Sequence, residues 1–402
     1  MSRPALAVPA EQALAFRAGR QRICGPRAAA GEAHAVVRDL VAVQAQIVSA
    51  AAGALAARVE GFGAADLRRA LEEERTLVRG WSLRETAHVV AVEDGRLLAA
   101  AIASGRDGNG NARWFARRGL DPARWPDVRE GILAALRGGP LTRVELARAL
   151  ARRVPHADRW FGSWGGALRP LAVAGLVAFG PGRGRETTFV RVDRWAERAE
   201  AGTSPLPDAP RRGSGAEPPK TKTVGRRPAA PARERAEEEL VRRYLHAYGP
   251  AEPRDLAYWT GLGVGWAKAV FGRVEPDLAV VDIQGRKPCV LAADLDALLA
   301  ARLEPPAVRL LPPFDGYVLA HRDKSLYLDP ERRTQVFRPG AWVAPTVVAG
   351  GRVVGTWSPR RRGARVDVQV DLFERLGRPD RRALSAEVAG VEGRGRPPPS
   401  AS

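Results

Sequence analysis

Residues 126–195 read PDVREGILAALRGGPLTRVELARALARRVPHADRWFGSWGGALRPLAVAGLVAFGPGRGRETTFVRVDRW. The opening PDVREGILAALR (126–137) carries Val128, Ile132, Leu133 and Leu136 at helical spacing. Gly138-Gly139-Pro140 stops that helix, and Thr142 is a fresh N-cap for a second one, RVELARALARR. A third amphipathic stretch, WGGALRPLAVAGLV, runs into two β-rich segments flanking a Gly/Pro/Arg turn. Three helices followed by a basic hairpin is the order of a winged helix, whose recognition helix enters a DNA groove while the hairpin wing touches backbone. Arg183 and Arg185 in that wing suit phosphate contact. Trp160 and Trp164 precede the third helix and read as core residues before intercalating ones.

The same order recurs on both sides. Downstream, RERAEEELVRRYLHAYG, EPRDLAYWTG and GWAKAVFGRV read as three helices, and LAVVDI and KPCVLA as a hairpin around Gln284-Gly285. Upstream, AHAVVRDLVAVQAQIVSAA and AADLRRALEEERTLV read as helices, with TAHVVAV alternating toward strand and Glu93-Asp94-Gly95 turning it. Between the second and third copies, residues 201–233 are rich in Pro, Gly and Arg and read as a linker. From about residue 308 the chain turns β-rich, with Gly350-Gly351 between two strands, and the tail from about 391 reads as disordered. The expected architecture is α+β: winged-helix units over 10–120, 121–200 and 234–304, a β-rich domain over 305–375, and a C-terminal helix and tail over 376–402.

Charge points the same way. The net charge is +19, from 64 basic against 45 acidic residues. Only five of the basic residues are lysine, as a GC-rich genome would give, but exchanging Lys for Arg leaves charge unchanged and creates no excess. A polyanion partner accounts for it, and nucleic acid fits better than membrane, since no strongly basic amphipathic helix with an aromatic face occurs. No apolar run reaches the roughly 18 residues that span a bilayer, and the N-terminus lacks a signal-peptide core, so the expected location is the cytoplasm, associated with the nucleoid. Cys24 and Cys289 are the two cysteines; they exclude a disulfide scaffold and a cysteine zinc cluster. Phosphate-cradling, GxSxG and HExxH motifs are missing, and the five histidines are dispersed, so neither a nucleotide cofactor nor a metal is expected.

The remaining oddity is Gln44 and Gln46 in LVAVQAQIVSA. On a helix they sit about 200° apart, so one amide faces the buried side and needs a partner there. Taken alone, the pair reads as solvent-facing or capping. Four segments in one order alter that: VQAQ, LVRGWSLRETAHVVAVEDG, LLPPFDGYVLAHRDKS and GGRVVGTW. Together they resemble the AlkZ/YcaQ-like winged-helix DNA glycosylase family, over about residues 35–360. The resemblance implies three tandem winged helices and a β-domain in a C-shape, and removal of N7-alkylpurines, including bulky adducts and, in some members, interstrand crosslinks; some members protect antibiotic producers. It implies double-stranded DNA carrying an alkylated purine as partner, acted on by a monomer without cofactor. The family's Gln-apolar-Gln or Gln-apolar-Asp catalytic motif falls on Gln44-Ala45-Gln46, and its Thr-apolar-His element on Thr86-Ala87-His88. Where family members often carry Gly before that Thr, this chain has Glu85, either a carboxylate near the site or a solvated one.

His88 has two readings: contact with the lesion-strand phosphate or the water, or packing at a strand start. Arg79 and Arg84 flank the element as phosphate ligands, and Asp315 in LPPFD reads as a structural turn residue capping backbone amides. An amide does not titrate, so neither glutamine is a general acid or base. A cationic N7-alkylpurine leaves as a neutral base without protonation. The site then needs a placed water and electrostatic support for the sugar cation, with the Gln46 oxygen accepting from water and Gln44 orienting it or touching the sugar-phosphate. The competing function is a non-enzymatic winged-helix transcriptional regulator, but such proteins usually dimerise on half-sites, and no heptad seam is present.

Overall fold

The Thr142 cap forms as expected. Thr142 Oγ1 accepts from the Glu145 N–H at 3.3 Å, and Glu145 returns a carboxylate to the Thr142 N–H at 2.7 Å. This box starts the helix Arg143–Leu150, after the helix Trp125–Ala135, and the helix Leu168–Val173 follows. Val128, Ile132, Leu133, Leu146, Leu150, Leu168 and Leu171 are buried together, so the apolar stripes read from the sequence face one core. The computed structural model describes residues 5–104, 115–116, 119–162, 166–195, 230–362 and 365–394. Trp164, most of the expected linker and the last eight residues lie outside them.

The hairpin after these helices, Val177–Phe179 and Thr188–Arg191, does not stand alone. It belongs to a six-stranded sheet in the spatial order Val43–Gln44, Ala87–Ala91, Leu77–Trp81, Val177–Phe179, Thr188–Arg191, Leu141–Thr142. The seam is the pairing of Arg79 with Phe179, so the first and second expected units share one sheet across residue 120. The third set of elements follows the sequence reading: helices Ala230–Tyr248, Pro253–Thr260 and Val264–Arg273, then strands Leu278–Asp282 and Cys289–Leu291. Its first helix begins at Ala230, inside the stretch read as linker. The N-terminal strand Leu6–Ala7 adds to this sheet in parallel, alongside Val281 and Asp282.

Four antiparallel strands, Val308–Leu311, Thr346–Ala349, Arg352–Arg362 and Arg365–Leu372, make the β-rich part, and the helix Arg378–Arg394 packs on it. Asp315 caps the following turn by accepting from the Tyr317 N–H at 2.9 Å, and its carboxylate also takes both terminal nitrogens of Arg58 at 2.8 Å. The first segment is thereby latched to the β-rich part. The long helix Ala230–Tyr248 is tied to both: Tyr248 donates to the Leu40 carbonyl at 2.9 Å and Tyr244 to that of Ala320 at 3.0 Å.

Two expected helices are wrong in type. The stretch 33–51 is not one helix: Ala33–Asp39 ends, Val41 takes a left-handed φ of 64°, Val43–Gln44 becomes a strand, and Val48–Ala56 starts a new helix. Val43-Gln44-Ala45-Gln46-Ile47 alternates apolar and polar, a period of two that a helical reading overlooks, and β-branched Val43 and Ile47 favour extension. Likewise the helix expected over 64–78 is helical only to Glu73, and Leu77–Trp81 is a strand. Leu77 and Val78 gain more from burial in the six-stranded sheet than from propensity.

Candidate active site

The edge strand carries Gln44 beside Ala87–Ala91, in register with His88. Directly opposed residues of an antiparallel pair project to the same face, so the two side chains are neighbours. Gln44 is half-buried and Gln46 exposed, with Ala45 fully buried between them. The pair therefore sits at the lip of the sheet, not on a helix.

Each amide oxygen has a fixed partner. Gln44 Oε1 accepts from Arg84 Nη2 at 2.7 Å, and Gln46 Oε1 accepts from the Ala87 N–H at 3.2 Å. A guanidinium and a backbone N–H only donate, so these contacts settle which amide atom faces inward. Both NH2 groups point away from these anchors, and each carbonyl oxygen keeps a second lone pair. The backbone between them is held by the Ala45 N–H to the Ala87 carbonyl at 2.7 Å and by Arg79 Nε to the Ala45 carbonyl at 3.2 Å. Arg79 lies 4.3 Å over the Phe179 ring, and burial pushes its guanidinium below the usual pKa.

His88 is only 2% exposed, so the reading in which it touches a phosphate gives way to the packing one. Its Nδ1 faces the Thr86 carbonyl at 2.9 Å and therefore carries the proton. Burial first, then the Arg84 charge, lowers its pKa to about 3. An unfolded imidazole titrates near its ordinary 6.5, so the unfolded chain binds the extra proton between those values. Stability from this residue is complete above that upper value and drains as pH falls toward the lower one. At neutral pH the ring is uncharged and moves no proton. We expect the ratio of excision rate to spontaneous base release, measured at saturating enzyme, to stay flat from about pH 6 to about pH 8, since neither amide titrates. A limb of unit slope inside that window would place an acid or base in the reaction.

Thr86 donates its hydroxyl to the Leu83 carbonyl at 3.2 Å and shapes the turn. Arg84 and Glu85, in that turn, have φ values of 50° and 57°. The left-handed region favours glycine, so both non-glycine residues hold their backbone there at a steric cost. Glu85 is exposed and meets Arg169 Nη1 at 3.3 Å. Arg84, expected at a phosphate, instead commits both terminal nitrogens inside the protein, the second to the Trp259 carbonyl at 2.7 Å. No sequence signal pointed to Trp259. Arg183 folds back onto Glu145 at 2.7 Å, while Arg185 is exposed in the wing. Trp160 is buried against Phe115 and Trp125. Among the described residues no group of His, Cys, Asp and Glu is arranged to hold a metal, and no helix is long and apolar enough to cross a membrane.

An α+β chain with a paired-amide lip is the class these features define, and comparison fixes the family. Residues 37–393 match the DNA glycosylase AlkZ-like family, and the chain belongs to it. It is similar to an interstrand DNA cross-link repair glycosylase of Streptomyces sahachiroi, 31% identical over 332 residues, covering 80% of this chain and 81% of the relative. It also resembles the solved structure of the Streptomyces sahachiroi DNA glycosylase AlkZ, with a TM-score of 0.79 and 28% identity over 98% of this chain and 99% of the other.

Proposed function

We propose that this glycosylase hydrolyses the N-glycosidic bond of cationic N7-alkylpurines in duplex DNA, bulky or crosslinked adducts included, in repair or in self-resistance to a DNA-alkylating natural product. The observation that carries the reading is the anchoring of both motif amides by donor-only partners beside a neutral, buried imidazole. Such a site is preorganised for electrostatic support and water placement, and poor at protonating a leaving group. A lesion that is already cationic needs no protonation. In this reading the free lone pair of Gln46 Oε1 accepts from the attacking water, and the outward NH2 of Gln44 holds that water or the sugar-phosphate. Thr86 and His88 keep the turn and the strand in place, and Arg185, exposed in the wing, meets the phosphates, while Arg183 reaches them only by leaving Glu145 and Arg79 holds the Ala45 carbonyl.

Three winged-helix units arranged in a C around the duplex, acting as a monomer, complete the proposal. The relative's printed name speaks for crosslinks as substrate. Family membership argues against a regulator that performs no chemistry. The test is a single-turnover incubation of duplexes with one labelled N7-methylguanine or one bulky N7 adduct, followed by alkaline cleavage. Strand breaks are expected on both and not on undamaged DNA. Tight, salt-sensitive binding without breaks would return the regulator.

A further inference from the structure

Arg84 joins three parts of the chain that are distant in sequence. Its own turn is left-handed, one terminal nitrogen holds Gln44, and the other holds the Trp259 carbonyl. That carbonyl lies in the last turn of the helix Pro253–Thr260, where carbonyls lack intrahelical donors and the helix dipole is negative. The helix is firmly seated, with Trp259 packed on Tyr244 and Tyr248 at centroid separations of 5.0 and 5.5 Å. Its C-cap is Gly261, at φ 76°. A Cβ there would meet Arg84 Cα at 2.9 Å, Cγ at 3.2 Å and N at 3.3 Å. Glycine is thus needed both for the left-handed backbone and for the approach of the Arg84 main chain.

An unrestrained glutamine amide has a broad, two-fold terminal torsion and presents oxygen or NH2 with little preference. The guanidinium removes that choice at Gln44. We propose that Arg84 is a positioning residue that ties the orientation of the Gln44 amide to the seating of helix Pro253–Thr260, so that the NH2 and not the carbonyl meets the DNA. This rests on the reading in which Gln44 acts in excision. The helix that fixes the amide belongs to the third set of elements, so the site is complete only when that part is docked against the first.

The test is a double-mutant cycle read by single-turnover excision of a duplex with one N7-methylguanine, using the full chain. Arg84→Met removes the donors at similar bulk. Gly261→Ala keeps every donor and displaces Arg84. Each should lower the rate at saturating enzyme by about 10- to 100-fold, the scale of a misplaced reacting group. In a Gln44→Ala background both losses should disappear, leaving doubles within about two-fold of Gln44→Ala, as for residues that act through one another. Affinity for undamaged duplex and its salt slope should not change. Losses that multiply in the doubles would overturn the proposal. So would weaker duplex binding with a salt slope reduced by about one, the mark of a lost phosphate ligand. A wild-type rate for Gln44→Ala would instead sink the reading of Gln44. If Arg84→Met melts below the assay temperature, Gly261→Ala and Arg84→Lys decide by the same criteria, since an ammonium lacks the planar fork that spans both acceptors.

Discussion

Gln46→Ala is expected to excise N7-alkylguanine about 10²- to 10³-fold more slowly than wild type at saturating enzyme, the range seen when one preorganised hydrogen-bonding group is removed from a polar transition state. Gln44→Ala should fall in the same range. Stability should barely move for Gln46, because its side chain is exposed and its single contact is one N–H···O bond of 3.2 Å at the surface. Duplex affinity should hold as well, since an uncharged side chain contributes nothing to counterion release. The rate is therefore the quantity that reports the residue. Gln46→Glu separates the two ends of the amide. A carboxylate still accepts from the Ala87 N–H and from water; it loses the NH2 and gains a negative charge, which itself supports a sugar cation. If the oxygen carries the function, Gln46→Glu stays well above Gln46→Ala. Equal, deep losses in both would shift the role to the NH2, and a wild-type rate in Gln46→Ala would remove this residue from catalysis.

How far the sequence could lead is clear at Gln44 and Gln46 themselves. Their residue types and spacing were readable, and the later segments, placed in order, singled them out as candidates. Their setting was not, because Val43–Ile47 satisfies both periodicities over so short a run. The decision falls to the partner strand Ala87–Ala91, more than forty residues downstream, whose free edge the segment completes. The Thr142 box was legible for the opposite reason: donor and acceptor are three residues apart, and local chemistry decides it. Arg84 shows the limit most sharply. An arginine beside a candidate site in a chain of charge +19 reads as a phosphate ligand, and the Trp259 carbonyl that claims it carries no signature in sequence. The shared six-stranded sheet is similar, since its seam is one residue pair, Arg79 with Phe179.

The largest effect on stability is expected at Arg58. Arg58→Ala should cost about 3–5 kcal/mol in equilibrium urea unfolding, the range for removing one partner of a buried ion pair. Arg58 and Asp315 are 1% and 0% exposed, and they meet through two parallel bonds of 2.8 Å. Arg58 also donates to the carbonyls of Gln21 and Ala54, each at 2.8 Å. The substitution leaves a carboxylate sealed from water with only the Tyr317 N–H to answer it, together with two carbonyls lacking a donor. Arg58→Met/Asp315→Asn should lose much less than the sum of the singles, because the uncompensated charge goes while the amide oxygen still caps Tyr317. A single-mutant cost below about 1 kcal/mol would mean that water reaches the pair. Activity follows the same latch. Arg58 lies two residues after the helix Val48–Ala56, which begins two residues beyond Gln46, and Asp315 belongs to the β-rich part. Freeing that helix at its far end loosens the strand on which both glutamines stand. Arg58→Ala should therefore lose excision at temperatures where most of the chain is still folded, before duplex binding fails.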